Sequence, residues 1–378
     1  MAQVLVLATL ATKMEEAEYL RGQIDGLGVT SRFVDVSLAS NGKVLNGEEK
    51  CLAMADAADR VLAEVSKAVQ GEAEVIVGIG GGTGGEIIMN VLRALPITFP
   101  KLLVTTLPFD PRVVVAENSI VLVPTLADLA GLNAILREAL ENTALMAAGL
   151  CRKTRKGELK VVEPSVGITA LGATEGAVSP LVQALAKRGR ESTVFHSNGY
   201  GGAAFARFAH HDAFDVIIDL TPHEITRIHL AGAHVHMPSR FTAGGDLPRV
   251  VLPGAMNFIG LGQKDLVPQR FLERPHYEHT ALFTHVKVTE DEMMNVSRHL
   301  AVSLNSLSGP RAVIVPMGGF SHHDRPGGAI EDGSLRTVCL ETLQAHLNPD
   351  VTVTAVDAHI FDPSVTDTIL ETLDALTA

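Results

Sequence analysis

The chain has 378 residues, a formal net charge of −12 and three cysteines. That length exceeds one ordinary domain and suggests two. The acidic balance argues against a surface built for nucleic acid or an anionic membrane, no apolar run is long enough to cross a bilayer, and Cys51, Cys151 and Cys339 are too widely spaced for a disulfide framework or zinc knuckle.

High Gly and Ala content with few aromatics favours α/β layers over an all-β sandwich. Val4–Ala8 reads as a buried strand, Thr9–Lys13 as a turn and Met14–Arg21 as a helix that Gly28 ends. Met1-Ala-Gln-Val leads into that strand without a basic n-region, so the expected location is the cytoplasm. Ser31–Val36 is a second strand, and a helix covers roughly Cys51 to Val69. Val75–Val77 is a third strand, followed by six glycines between Gly78 and Gly85 and a helix from Glu86 to Leu95. Lys101–Thr105 and Ser119–Val123 are further strands, and a long helix runs from Asp128 to Leu150. The basic stretch Cys151–Glu158 breaks the alternation and is a linker candidate.

The alternation then restarts. Strands are expected at Val166–Leu171, Ser192–His196, Phe214–Leu220, Arg249–Leu252, Arg311–Pro316 and Val351–Val356, with helices to about Arg188 and over Ala203–Phe208. The expected fold class is α/β, two Rossmann-like domains at residues 1–160 and 161–378, each a mainly parallel sheet flanked by helices.

Ligands of open α/β sheets collect outside the carboxyl ends of the strands. Four glycine-bearing turns lie there: 78–85, Gly172–Thr174, Asn198–Gly202 and Gly318-Gly319. A glycine loop feeding a helix offers free N–H groups and a positive helix end to an anion, but no G-x-x-x-x-G-K-[ST] is present. A tight turn without ligand accounts for any one loop as well. The first domain's loops hold Gly, Thr and Lys13 but no histidine. The second half holds His223, His229, His234-Val-His236, His276-Tyr-Glu-His279, His285 and His322-His323. Such spacing admits a divalent metal, although loop and surface histidines explain it more simply. Thr221-Pro-His-Glu224 follows a strand end, where a carboxylate and an imidazole serve as acid, base or helix cap.

Several stretches also resemble a known family. Ala8–Glu16, Gly78–Gly85, Gly167–Thr174, Val194–Gly202, Asp219–Glu224, Pro253–Ala255, His279–Glu290, Ser321–Asp324 and Pro326–Gly328 follow in the order of its motifs. The chain thus resembles the uncharacterised family of Tm-one-like ATP-binding-domain proteins, relatives of a plant tobamovirus-resistance protein. Ala11 stands where that family has an Asp, and Ala8 and Met14 where it has glycines. The resemblance implies two Rossmann-like domains, a cytoplasmic homodimer or higher oligomer, and ATP or a related nucleotide or phosphorylated metabolite held by glycine loops. Carried over, the binding candidates are Gly80, Gly81, Gly82, Gly84, Gly172, Thr174, Gly199, Gly201 and Gly202, beside Lys13 and Thr83 of the same loops. His196, Glu224, His279 and Asp324 are the catalytic candidates, Ser321 matching too. The expected function is binding of a nucleotide or phosphometabolite with enzymatic action on a small anionic substrate in an interdomain cleft. A non-catalytic nucleotide-binding module controlling self-association or a partner interface is the alternative.

Overall fold

The computed structural model describes residues 3–39, 45–71, 73–108, 110–116, 118–151, 165–233 and 236–378. The linker expectation from residue 152 onward and His234 of the His-x-His pair lie outside them. The chain divides into two compact units, Met1–Glu158 and Leu159–Ala378.

The first unit runs β1 (Val4–Ala8), α1 (Leu10–Gly26), β2 (Ser31–Asp35), α2 (Gly47–Gly71), β3 (Val75–Ile79), α3 (Gly82–Ala94), β4 (Lys101–Thr105), α4 (Pro111–Val115), β5 (Val121–Pro124) and α5 (Ala134–Cys151). Its five strands are parallel in the order β2-β1-β3-β4-β5. A central parallel strand is covered on both faces and so reads as an unbroken apolar run. In β1, Val4, Val6 and Ala8 pack with Leu20 and Ile24 of α1 and Leu136 and Leu140 of α5. Leu5 and Leu7, on the opposite face by strand alternation, pack with Val61 and Val65 of α2 and Ile88 of α3. The order reverses between β1 and β3, which places a topological switch point at their carboxyl ends.

The second unit runs β6 (Ser165–Ala170), α6 (Glu175–Lys187), β7 (Glu191–His196), α7 (Tyr200–His210), β8 (Val216–Asp219), α8 (Glu224–His229), β9 (Arg249–Val251), β10 (Phe258–Leu261), α9 (Gln269–Leu272), β11 (His276–Thr280), β12 (Phe283–Lys287), α10 (Glu290–Asn305), β13 (Arg311–Pro316), α11 (Gly333–His346), β14 (Thr352–Val356) and α12 (Pro363–Thr377). Six parallel strands follow the order β14-β13-β9-β8-β6-β7, reversing between β6 and β8. One face packs on α6 and α12, the other on α7, α10 and α11. Three antiparallel strands, β10-β12-β11, form a separate small sheet.

Both units are thus Rossmann-like α/β layers, as the strand–helix alternation implies. Two boundaries differ in a way that bears on the site. Thr9–Lys13, expected as a turn, is mostly the first turn of α1, bent at Lys13 (φ −130°, ψ 26°). The helix expected from Glu86 begins at Gly82, inside the glycine loop. The three cysteines form no disulfide. Among the described residues, no helix is long and apolar enough to cross a membrane.

Leu7 is fully buried and Leu52 is 63% exposed. Leu7→Ala is expected to cost ~2–5 kcal/mol by loss of burial and creation of a cavity. Leu52→Ala is expected to change stability by less than about 0.5 kcal/mol. Urea unfolding followed by circular dichroism tests the pair, and equal effects of the two would contradict this packing.

Candidate functional site

At the first unit's switch point lies a cavity of about 380 Å³. Its wall comprises Thr9, Ala11, Thr12 and Lys13 after β1, Val36, Ser37 and Leu38 after β2, and Gly80–Gly84 with Ile87 after β3. Among the described residues lining it, none is a carboxylate. The start of α1 is already satisfied, because Leu10 N–H donates to Asp35 Oδ1 and Ala11 N–H to Ser37 Oγ, both at 3.1 Å. The start of α3 is different: Gly81 is its N-cap and no side chain caps it. A helix without a cap leaves its first N–H groups, here those of Gly82, Thr83 and Gly84, directed outward. The Lys13 ammonium is held on the wall by donating to the Leu129 carbonyl.

The glycines of this loop separate by what a side chain would strike. At Gly80 a Cβ collides with the Gly85 backbone, at Gly84 with the Thr9 hydroxyl, and at Gly78 with Ile88. These three are demanded by packing. At Gly82 a Cβ meets nothing within 4 Å, and at Gly81 only Thr106 Oγ1 at 3.6 Å. Neither residue has positive φ, so packing does not demand glycine at either place.

At the second unit's switch point the turns after β6 and β8 are joined by a 2.8 Å hydrogen bond between the Thr174 and Thr221 hydroxyls. Gly172 opens a 3₁₀ turn with space around it. Below lies a fully buried guanidinium, Arg240. It donates to Asp219 Oδ2 at 2.8 Å and Oδ1 at 2.9 Å, and through Nε to Glu224 Oε2 at 3.1 Å. Burial alone would raise the Asp219 carboxyl, but the Arg240 charge and hydrogen bonds, with the Thr169 hydroxyl, hold it below the ordinary carboxylate range. Glu224 Oε1 also accepts from Gly199 N–H at 3.2 Å.

The glycines of 199–202 answer to this network. Gly199 has φ +101°, a Cβ on Gly201 would strike the His196 carbonyl, and one on Gly202 would strike the Glu224 carboxylate. Glu224 is therefore committed to Arg240 and to its own loop. Asp324 is committed likewise, accepting from Phe320 N–H (2.9 Å), Asp332 N–H (3.2 Å) and Arg336 Nη1 (2.7 Å).

The histidines that gather lie on β10–β12 and the adjoining turns. His223 Nδ1 lies 2.8 Å from the Ala255 carbonyl. Its ring is 4.7 Å from Phe258, which stacks on His285 at 4.2 Å, and His279 stacks on His285 at 4.8 Å. The Tyr277 hydroxyl bonds His285 Nδ1 at 2.8 Å, and the His323 ring is 4.0 Å from that of Tyr277. Burial, reinforced by Arg227, pushes His223 from 6.5 down to about 3. Burial, with His223 and His279 next, pushes His285 down to about 2. Of the four catalytic candidates, only His279 enters this group, while His196 is exposed at the end of β7 within electrostatic reach of His223. Among the described residues, no three His, Cys, Asp or Glu side chains are arranged to hold a metal.

Family models match most of the chain: the N-terminal domain of an uncharacterised protein family, UPF0261, at residues 39–156, and its C-terminal domain at 163–377. The chain belongs to the UPF0261 family. A UPF0261 protein of Mesorhizobium japonicum is 29% identical, with 99% of each chain aligned. One from Clostridium tetani is 27% identical over 90% of this chain and 91% of the relative. The tomato ToMV resistance protein Tm-1(GCR237) is 26% identical over 98% of this chain and 55% of its own length. Of the polar groups at the second unit's switch point, Arg240 and Arg227 went unnoticed in the sequence. No motif marks Arg240, while Arg227 sits one helical turn after His223, a spacing that puts both on one face.

Two expectations follow. Arg240→Met leaves two buried carboxylates unpaired and should cost ~3–5 kcal/mol, visible as a lowered thermal midpoint; an unchanged midpoint would contradict the network. His223 and His285 stay neutral in the fold, while the unfolded chain takes up their protons below 6.5. Stability should therefore fall as pH drops from that value towards 3, by ~1.4 kcal/mol per pH unit for each histidine. His285→Gln should remove about one histidine's share of that slope in urea titrations at successive pH values, and an unaltered slope would contradict the assignment.

Proposed function

We propose that the first unit binds a phosphorylated small molecule, ATP or a related nucleotide, with its phosphate oxygens on the N–H groups that open α3. The observation that carries the reading is the uncapped start of α3, together with the freedom of Gly81 and Gly82 from any packing demand. Glycine without a structural need at a helix start admits the closest backbone approach of an anion. The Thr9 and Thr83 hydroxyls add donors, Lys13 adds a positive charge, and none of the described residues lining the wall is a carboxylate. A volume of about 380 Å³ suits a small ligand. The relative named for virus resistance lends no substrate to this argument.

Enzymatic action on a small anionic substrate, and self-association as a homodimer or higher oligomer, belong to the same proposal. Phosphate release from ATP would distinguish an enzyme from a binding module, and light scattering across dilution reads the oligomer.

Titration calorimetry with ATP, ADP and AMP, with and without Mg²⁺, tests the binding. Wild-type protein should give heat with ATP. Gly82→Val should weaken it at least tenfold, ~1.4 kcal/mol, with the unfolding midpoint nearly unchanged because the side chain enters open space. Absence of heat with all three nucleotides, or equal binding by the variant, would sink the proposal.

A further inference from the structure

A second group of polar atoms stands apart from the Arg240 network. His223 and Arg227 lie one turn apart at the start of and within α8, and both reach over Gly260 of β10. A Cβ built on Gly260 would stand 3.1 Å from Arg227 Nη2 and 3.2 Å from His223 Nε2. Gly260 has no positive φ, so the room needed by these two groups, rather than backbone strain, accounts for the glycine. Because a carbonyl only accepts, the 2.8 Å contact with Ala255 O places the proton on His223 Nδ1. Nε2 of this fully buried ring is then a bare lone pair, and it has no partner. Leaving a buried acceptor unpaired costs about 1–3 kcal/mol.

Arg227 is half-buried. Its Nη1 donates to the Ala233 carbonyl at 2.9 Å, and its Nε has no partner. Among the described residues, no carboxylate lies within ion-pair distance of it, since Glu224, the acid that acts on it electrostatically, is bound to Arg240. Gly260 pairs with His285 across the ladder, and Tyr277 pairs with His285 on the other side. Directly opposed residues share a face, so His285 and Tyr277 lie on the same face as the Gly260 position. Exposed His279, stacked on His285, lies towards solvent.

We propose that His223 and Arg227, over Gly260, form a binding site for a small anion bearing a hydroxyl beside its charged group, a hydroxycarboxylate or its phosphate counterpart. The anionic oxygens lie on Arg227, and the neighbouring hydroxyl donates to His223 Nε2. Both halves are needed: the cation selects the charge, and the bare lone pair selects an O–H over a C–H. The site is in the second unit and is independent of the nucleotide proposal.

Titration calorimetry of the full chain with D-glycerate and glycerol 3-phosphate, beside propionate and propyl phosphate, tests it. The hydroxylated member of at least one pair should bind about tenfold or more tightly than its deoxy partner, since a site left with an unpaired buried acceptor rejects the analogue. The carboxylate and phosphate pairs tell the two sources apart. Gly260→Ala puts a methyl against Arg227 Nη2 and His223 Nε2 and should abolish that binding by displacing them, as should Arg227→Gln, while Gly82→Val should leave it unchanged. Should Gly260→Ala fail to fold by circular dichroism, Arg227→Gln decides. No heat with any of the four anions, equal binding of hydroxylated and deoxy forms, or full binding by Arg227→Gln would overturn the proposal.

Discussion

One guanidinium without an exposed atom governs the second unit's carboxyl edge. Arg240 reaches Asp219 at the end of β8 and Glu224 at the start of α8, while Glu224 holds the Gly199 amide of the loop after β7. The β8–α8 turn and the β7–α7 loop are thereby tied to one charge. A buried ion pair gains little net stability over apolar packing, but removal of one member is costly. Its consequence here is geometric. With α8 pinned at Glu224, His223 is held against the Ala255 carbonyl and Arg227 above Gly260. The pairing also removes Glu224 from the set of free bases and leaves neutral imidazoles as the groups nearest the open edge.

Glycine has three distinct causes in this protein, and they separate the two carboxyl edges. In the loop 199–202 it serves backbone conformation at Gly199 and close packing at Gly201 and Gly202. At Gly78, Gly80 and Gly84 it serves packing between β3, α3 and the turn after β1. At the carboxyl edges, Gly82 and Gly172 meet nothing within 4 Å and Gly81 only Thr106 Oγ1, as glycines elsewhere in the chain also do, while at Gly260 the neighbours are the Arg227 and His223 side chains. A glycine-rich sequence is thus a poor guide to a ligand until each Cβ position is tested against its surroundings.

The fold was legible because β1 and β3 are continuous apolar runs, and β4 and β6 have apolar centres, bounded by glycine, proline or polar turns, and such runs specify buried parallel strands. The antiparallel β10-β12-β11 sheet was not, since His276-Tyr-Glu-His279 and Thr284-His285 lack the apolar alternation that marks a strand. Their histidines therefore read as loop residues. The site was legible by region and not by residue. Strand ends and histidine density pointed to the edges where the cavity and the Arg240 network lie, but nothing in the sequence shows that Asp219 and Glu224 would share Arg240, which lies 16 residues beyond Glu224. Long-range ionic pairing leaves no local pattern. For the same reason Asp324 looked available, whereas three donors hold it in place.

The central claim is that the amides opening α3 are left free for phosphate oxygens. Hydrogen exchange read by mass spectrometry over the peptide spanning Gly80–Ile87, with and without saturating ATP, addresses it most directly. The account predicts slowed exchange of the Gly82, Thr83 and Gly84 amides on adding ATP, with the α1 start, already bonded to Asp35 and Ser37, changing little. Unchanged exchange at Gly82–Gly84 in protein shown by calorimetry to be ATP-bound would contradict it.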